Sequence, residues 1–378
     1  MRILHLLASR GPGGSEALVR DLATEHVKNG SAAAIAFISK AREVGNSPSF
    51  EQRFAEILAK GSVQTFDLGH HSRRNPLYGA WRLLTVYREF RPDILHIHLL
   101  SGLLFRLLLW PRKIPTIYTH HTSHLKISRR AFRLLMKGVD QCVAISRQGR
   151  ALLEASTTVP VTVIRNAVAF EGIQRRSSST NSITILSVGR LYRDKGYETL
   201  IDVADRIFQQ RPDLTGTLIF QIAGEGPERS NLEQQIEARG LKGKVVLLGL
   251  RSDVKDLLLA SDIFLMTSLW EGLPISLIEA LHAGLPIVAT DVGGCGEVVE
   301  QSKNGFLAAP RDAVSLAGYL LRLIEDPHLT EGFRAGSVRL ARDFGMDACA
   351  ERHLILYRSV VDRVVGDAPC LVERAKGR

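Results

Sequence analysis

Seven residues separate Glu271 from Glu279 in the run SLWEGLPISLIEALHAGLPIVAT, Ser268 to Thr290. Glu271 falls in a loop after an apolar strand, Pro274 suits a first helical turn, and Glu279 lies inside the helix, which stops at Gly284 before Pro286. Both carboxylates therefore border one helix N-terminus. The free amides and the dipole of such a terminus favour a pyrophosphate. The carboxylates can accept hydrogen bonds from sugar and ribose hydroxyls, each contributing about 1.5–3 kcal/mol. A lone glutamate would be read as part of a solvated helix face; this pair with its flanking pattern is not.

Upstream, ITILSVGRLYRDKG (Ile183–Gly196) ends a strand in Gly189 and places Arg190 and Lys195 five residues apart in the loop that follows. Cations at a strand's carboxyl end can neutralise a diphosphate leaving group. Taken alone, two exposed basic residues are as readily solvated charges. The chain contains no D-x-D pair, so no metal and no cofactor is expected, and Arg190 with Lys195 stand in for a cation. A third loop, LLASRGPGGSE (Leu6–Glu16), carries Gly11, Gly13 and Gly14 into a helix with Ser15 as its expected N-cap and Gly30 just past its end. The glycines let a backbone approach a ligand closely, or simply make a tight turn. Ser15 and Glu16 break the G-x-G-x-x-G spacing, which argues against a dinucleotide cofactor.

Histidines cluster after two further strands, at His96 and His98 (ILHIH) and at His120 and His121 (THHTS). Alternation sends one of the adjacent pair toward the cleft and the other into packing, whereas His96 and His98 alternate with apolar residues and read as structural. Lys126, Arg129, Arg130, Arg133 and Lys137 interleave with Phe132, Leu134, Leu135 and Met136. That pattern suits a helix on an anionic membrane surface and equally an ordinary surface helix.

These loops need strands to hold them. Short apolar β-rich runs alternate with longer amphipathic segments, the pattern of βα units in a parallel sheet. Strands are expected at Arg2–Leu7, Ala33–Ile38, Ile94–His98, Thr116–Thr119, Gln141–Ile145 and Thr162–Ile164, then at Ile183–Val188, Leu218–Ala223, Val245–Leu248, Ile263–Met266 and Pro286–Ala289. The length of 378 residues fits two domains, with residues 1–170 as the first, a polar linker at 171–182 (EGIQRRSSSTNS) and a second at 183–345. A C-terminal helix over 346–365 is expected to pack back on the first domain, ahead of a tail at 366–378.

With 45% apolar and 23% charged residues the composition is globular. Residues 1–180 hold 26 Lys and Arg against 12 Asp and Glu, a balance of +14; the remainder holds 23 against 27, or −4. The first half is thus expected to meet an anionic surface or substrate, and no nucleic acid is called for. Cys142, Cys295, Cys349 and Cys370 are far apart and read as reduced thiols. Met1–Ala8 reads as a strand and not a signal peptide, and the 12-residue run Leu99–Trp110, with Arg106 inside it, is too short to span a bilayer. A cytoplasmic protein, peripheral on the inner face of the membrane, is the expectation.

The chain resembles glycosyltransferase family 4, the retaining family with the GT-B fold of two Rossmann-like domains and a cleft between them. The resemblance rests on GGSE at Gly13–Glu16, THHTS at Thr119–Ser123, RNAV at Arg165–Val168, GRLYRDKG at Gly189–Gly196, AGEGPE at Ala223–Glu228 and EGLPISLIEALHAGLPIVATDVGG at Glu271–Gly294. It departs from the family at Ala167, where glycine is usual, and at Cys295. By resemblance the donor site comprises Gly13, Gly14, Gly189, Arg190, Lys195, Gly224, Gly226, Glu271, Gly272, Leu273, Pro274, Ile275, Ser276 and Glu279. Glu279 would bind the ribose, Glu271 the transferred sugar, and Arg190 with Lys195 the diphosphate. His121 best matches the family's active-site histidine. Retention is implied, and no carboxylate announces itself as a nucleophile for double displacement. Front-face substitution from a UDP- or GDP-sugar to a glycan or lipid-linked acceptor is therefore the expected reaction. A nucleotide-sugar epimerase of the same fold and a non-catalytic sugar-nucleotide-binding subunit are the alternatives.

Overall fold

The computed structural model describes residues 1–11, 13–40, 48–109, 114–170 and 182–366. They divide into two compact units, one comprising Met1–Asn166 with the segment from Met346, the other Ala167–Gly345. The linker expected at 171–182 lies outside the described residues except for Ser182. So do Trp110 and the tail beyond Gly366, with Cys370.

The first unit is a seven-stranded parallel sheet of β1 (Arg2–Leu7), β2 (Ala32–Phe37), β3 (Gln64–Asp67), β4 (Ile94–Ile97), β5 (Thr116–His120), β6 (Gln141–Ala144) and β7 (Val161–Val163). Their spatial order is β3-β2-β1-β4-β5-β6-β7. Central strands read as unbroken apolar runs because helices cover both faces. On one face Leu4, Leu6, Leu95, Ile97 and Tyr118 pack with Leu83, Phe90, Leu103, Phe105 and Phe132. On the other, Leu7, Ile35 and Phe37 pack with Val19 and Ala23 of α1 (Gly14–Lys28) and with Phe54 and Leu58 of α2 (Pro48–Lys60). The C-terminal helix, Met346–Gly366, packs against α1.

The second unit is a six-stranded parallel sheet of β8 (Ile183–Val188), β9 (Leu218–Ala223), β10 (Val245–Gly249), β11 (Ile263–Met266), β12 (Ile287–Thr290) and β13 (Gly305–Ala308), ordered β10-β9-β8-β11-β12-β13. In each sheet the first strand lies inside, with its successors running outward on one side and later strands on the other. The loops leaving the strands' carboxyl ends diverge at that reversal, where open α/β sheets bind ligands.

Eleven strands were expected from sequence and each is present, with ends that coincide or move by one residue. Two others escaped. β3 is a mostly exposed edge strand whose QTFD offers no apolar run, and β13 opens on a glycine in GFLA. The start of α1 also differs from expectation: Gly13 is the N-cap, and Ser15 lies in the first turn with its Oγ donating to Glu16 Oε2 at 2.7 Å. Among the described residues no helix is long and apolar enough to cross a membrane.

Candidate functional site

In the second unit three loops meet above the sheet. The loop after β8 buries Leu191, whose amide donates to Glu225 O at 3.0 Å and whose carbonyl accepts from Glu228 N at 3.1 Å. Gly224 fits beneath it because a Cβ there would stand 1.8 Å from Gly189 O, and Gly226 meets Leu191 O in the same way. The missing side chains of Gly224 and Gly226 thus let two loops pack backbone to backbone. Tyr197 OH donates to Gly189 O at 3.0 Å from the other side.

A turn over Arg193–Lys195 ends in Gly196 at φ +61, where a Cβ would also lie 2.2 Å from Thr267 O. Only glycine meets both demands. The loop after β11 is fastened to this turn by Leu269 N donating to Asp194 O (2.8 Å) and Thr267 Oγ1 donating to Lys195 O (3.2 Å). The result is a single polar node. Lys195 Nζ donates to Glu271 Oε1 at 2.6 Å, and Ser268 Oγ donates to the same oxygen at 2.7 Å. The two charged side chains are only 20% and 10% exposed, so each holds the other in a fixed rotamer. Glu271 Oε2 carries no hydrogen bond among the described residues and is left to accept from a ligand.

Beside the node begins α10 (Ile275–His282), with Pro274 as an N-cap that supplies no side-chain acceptor. The first intrahelical bond runs from Ile278 N to Pro274 O, so the amides of Ile275, Ser276 and Leu277 precede it and suit an anion. Leu273 and Pro274 are buried, Gly272 accepts from Gly294 N at 2.6 Å, and Glu279 is half-buried in the helix. Gly284, at φ +67, ends it. The structure therefore gathers Lys195, Glu271 and the start of α10. Arg190 is exposed at the rim, its guanidinium 4.8 Å over the ring of Tyr192. Ser268, the residue that shares Glu271 with Lys195, was missed from sequence; its place three residues before the glutamate was the available signal.

In the first unit the expected active-site residues are Gly13, Gly14 and His121. Gly13 and Gly14 open α1, with Ala17 N donating to Gly13 O at 3.0 Å. His120 and His121 take opposite faces of β5. His120 is buried, with Nδ1 3.0 Å from Tyr118 OH and Nε2 3.1 Å from Thr122 Oγ1; His121 is half-buried, with Nε2 3.1 Å from His98 Nδ1. His121 therefore belongs to a cluster that sequence reasoning split up. His5 pairs in register with His96 across β1 and β4, and His98 follows two residues on. His26 from α1, with His353 and Tyr357 from the C-terminal helix, closes over them. Burial pushes His5, His96 and His98 well below the usual imidazole range. It takes His26 and His121 to about 3 and His353 and His120 to about 4. His5, His26 and His353 were missed because each stands alone in sequence.

Of the basic segment, Arg129–Leu135 forms the short helix α5. Lys126, Arg129, Arg130, Arg133 and Lys137 are all exposed, while Phe132 and Met136 anchor the segment.

Two families match the chain end to end of one another: Glycosyltransferase Family 4 over residues 12–171 and Glycosyl transferases group 1 over 170–337. Among curated relatives, the phosphatidylinositol N-acetylglucosaminyltransferase gpi3 subunit of Schizosaccharomyces pombe is 33% identical over 207 residues, covering 53% of this chain but 44% of that protein. The match therefore spans less than half of that relative. The amylovoran biosynthesis glycosyltransferase AmsK of Erwinia amylovora is 28% identical over 305 residues, 74% of each chain. The fold matches that of Anabaena HepE, solved in complex with UDP-glucose, with a TM-score of 0.79 at 22% identity over 95% of this chain and all of that one. Its two parallel-sheet units are the two Rossmann-like domains of the GT-B fold, and the chain belongs to glycosyltransferase family 4, an enzyme family.

Proposed function

We propose that the protein transfers a sugar from a nucleotide diphosphate donor to a glycan or lipid-linked acceptor, retaining configuration, by front-face substitution without a metal ion. The observation that carries this reading is the Lys195–Glu271 pair beside the uncapped start of α10 at the carboxyl ends of β8 and β11. A cation and free helix amides suit the oxygens of a diphosphate, and a carboxylate oriented by two donors suits a sugar hydroxyl of the same ligand.

In this reading Lys195, with Arg190 from the rim, stabilises the charge that develops on the departing diphosphate, and the amides of Ile275 and Ser276 share it. The acceptor hydroxyl attacks from the side that the diphosphate leaves, and a departing phosphate oxygen takes its proton. Glu271 accepts from a hydroxyl of the transferred sugar, Glu279 from the ribose, and His121 orients the sugar. The uridine nucleotide bound by the Anabaena protein makes a UDP-sugar the first donor to test. The lipid in the name of the fission-yeast relative and the basic α5 segment both suit a lipid-linked acceptor at the inner face of the membrane.

Purified protein incubated with a panel of UDP- and GDP-sugars tests this reading by release of the nucleoside diphosphate and by calorimetric binding. One donor should bind and turn over with excess EDTA present. Activity lost in EDTA and restored by magnesium or manganese would remove the metal-free mechanism. Interconversion of the sugar with no release of nucleotide would replace transfer with epimerisation.

A further inference from the structure

His121 ends a ladder of three imidazoles. His5 Nδ1 lies 3.1 Å from His98 Nε2, and His98 Nδ1 lies 3.1 Å from His121 Nε2. The rings follow one another edge to edge, with centroids 5.4 and 5.3 Å apart and planes inclined by 27° and 30°. β1, β4 and β5 are adjacent, and alternation from the registered pairs His5–His96 and His96–Ile117 puts His5, His98 and His121 on one face. At the inner end His5 Nε2 is buried with no hydrogen-bond partner. At the outer end His121 Nδ1 carries no hydrogen bond among the described residues.

A metal site is the first alternative, since nitrogens of His5, His96 and His98 lie within 4.8 Å of one another. His96, however, commits Nδ1 to Tyr357 OH at 2.7 Å and Nε2 to Thr119 Oγ1 at 2.6 Å. Two free imidazoles do not hold an ion in a buried, uncharged pocket.

The ladder has two possible polarities when its rings are neutral. If each ring carries its proton on Nδ1, His5 donates to His98 and His98 to His121, and the orphan at His5 Nε2 is a lone pair. Reversed, His5 Nε2 is a buried N–H with nothing to receive it, the rarer and costlier defect. The neighbouring His26 follows the first rule. Its Nε2 must donate to the Ala350 carbonyl at 3.3 Å, so its unpartnered Nδ1 is a lone pair.

The geometry points to His98 and His5 as positioning residues that fix His121 with its proton on Nδ1, making it a hydrogen-bond donor to a hydroxyl of the transferred sugar. This rests on the transferase reading for its substrate, but the tautomer itself does not. The structure fixes a property opposite to that of free imidazole, which prefers its proton on Nε2.

Long-range proton–nitrogen spectra of the uniformly 15N-labelled full chain, without substrate, read the tautomer; His121→Asn assigns the signals. Wild-type protein should show His121 protonated on Nδ1. His98→Phe should move that proton to Nε2 and lower kcat/KM for the sugar nucleotide about tenfold while leaving UDP affinity unchanged. His5→Phe, the milder change, should give a mixture of the two forms. A wild-type His121 protonated on Nε2 overturns the ladder, and so does an unchanged tautomer in folded His98→Phe or His5→Phe. The expected tautomer in a protein that releases no nucleotide would instead sink the transferase reading and leave the ladder standing.

Discussion

The two units share a parallel sheet whose first strand lies inside, yet they fill the face around that strand with opposite chemistry. In the first unit, β1, β4 and β5 bring His5, His96, His98 and His121 together under His26, His353 and Tyr357, all pressed toward neutrality by burial. In the second, the loops after β8 and β11 hold Lys195 against Glu271 with both groups charged and nearly buried. One topology thus supports a neutral polar interior or an ion pair. The difference follows from where the polar residues fall, within and at the ends of the strands in one unit and in the loops beyond them in the other. Acid should damage the first design, and loss of a single charge the second.

The largest expected effect is on stability at low pH. A histidine whose folded pKa lies at 3–4 and whose unfolded value is 6.5 binds more protons when unfolded throughout that window. Stability is then fully present above about pH 6.5 and falls as pH drops, by about 1.4 kcal/mol per pH unit for each such group. With several of them in one cluster, the first unit should unfold by about pH 4.5. In the second unit burial lowers His282 as well, against a hydrogen bond to the Phe344 carbonyl that raises it. Calorimetry from pH 7.5 to 4.5, with Trp270 fluorescence following the second unit in a Trp81→Phe, Trp110→Phe background, should show one transition collapsing well before the other. Parallel loss of both transitions would erase the contrast.

Single-charge changes come next. On the proposed function, Lys195→Met should lower kcat by about 10³-fold, since the departing diphosphate then lacks that cation and the largely enclosed Glu271 loses its ion partner. Glu271→Gln should lower kcat by about 10²-fold, because hydroxyl contacts strengthen as the sugar ring flattens. The structure adds that Lys195 then loses its tether, so KM should rise as well. Glu279→Gln should act mostly through KM, about tenfold, because ribose contacts stay constant through the reaction. Steady-state kinetics on proteins with unchanged melting temperatures decide each. A Glu271→Gln variant within about threefold of wild-type kcat would remove the sugar from that residue.

The fold was legible because period-two and buried apolar runs mark strands wherever both faces are covered. It faded at β3, where the edge strand is exposed, and at β13, which is short and opens on glycine. The second unit's candidate site was legible because Arg190, Lys195, Glu271 and Pro274 lie in two continuous loops with their own turn chemistry, and Glu279 lies in the helix that the second loop opens. What sequence could not supply was pairing at a distance. Nothing in Lys195 and Glu271, 76 residues apart, announces an ion pair, and the histidine cluster joins five elements of which only two carried adjacent or alternating histidines. Separately His96 and His98 read as packed core residues, and only the parallel register puts His5, His98 and His121 on one face.

The smallest expected effect concerns the exposed charges of the first unit, and it separates surface charge from interior chemistry. Lys126, Arg129, Arg130, Arg133 and Lys137 are exposed, and the segment is held by Phe132 and Met136. Ser128 caps α5 through a bond from Ala131 N to its Oγ at 3.3 Å. Neither anchor nor cap depends on the charges, and solvated cations contribute little to folding. Changing Arg129, Arg130 and Arg133 together to Gln should therefore shift stability by less than about 0.5 kcal/mol. The same charges would interact with an anionic membrane at about 1 kcal/mol each near the surface, attenuated by salt. Sedimentation with vesicles containing phosphatidylserine should show wild-type binding at low salt that the triple variant largely loses, with neutral vesicles binding neither. If the variant melts several degrees lower, the segment is structural. If the folded variant sediments as wild type does, the membrane contact lies elsewhere; if wild type binds neutral vesicles equally, or sediments with none at low salt, the +14 balance of the first half serves a soluble acceptor.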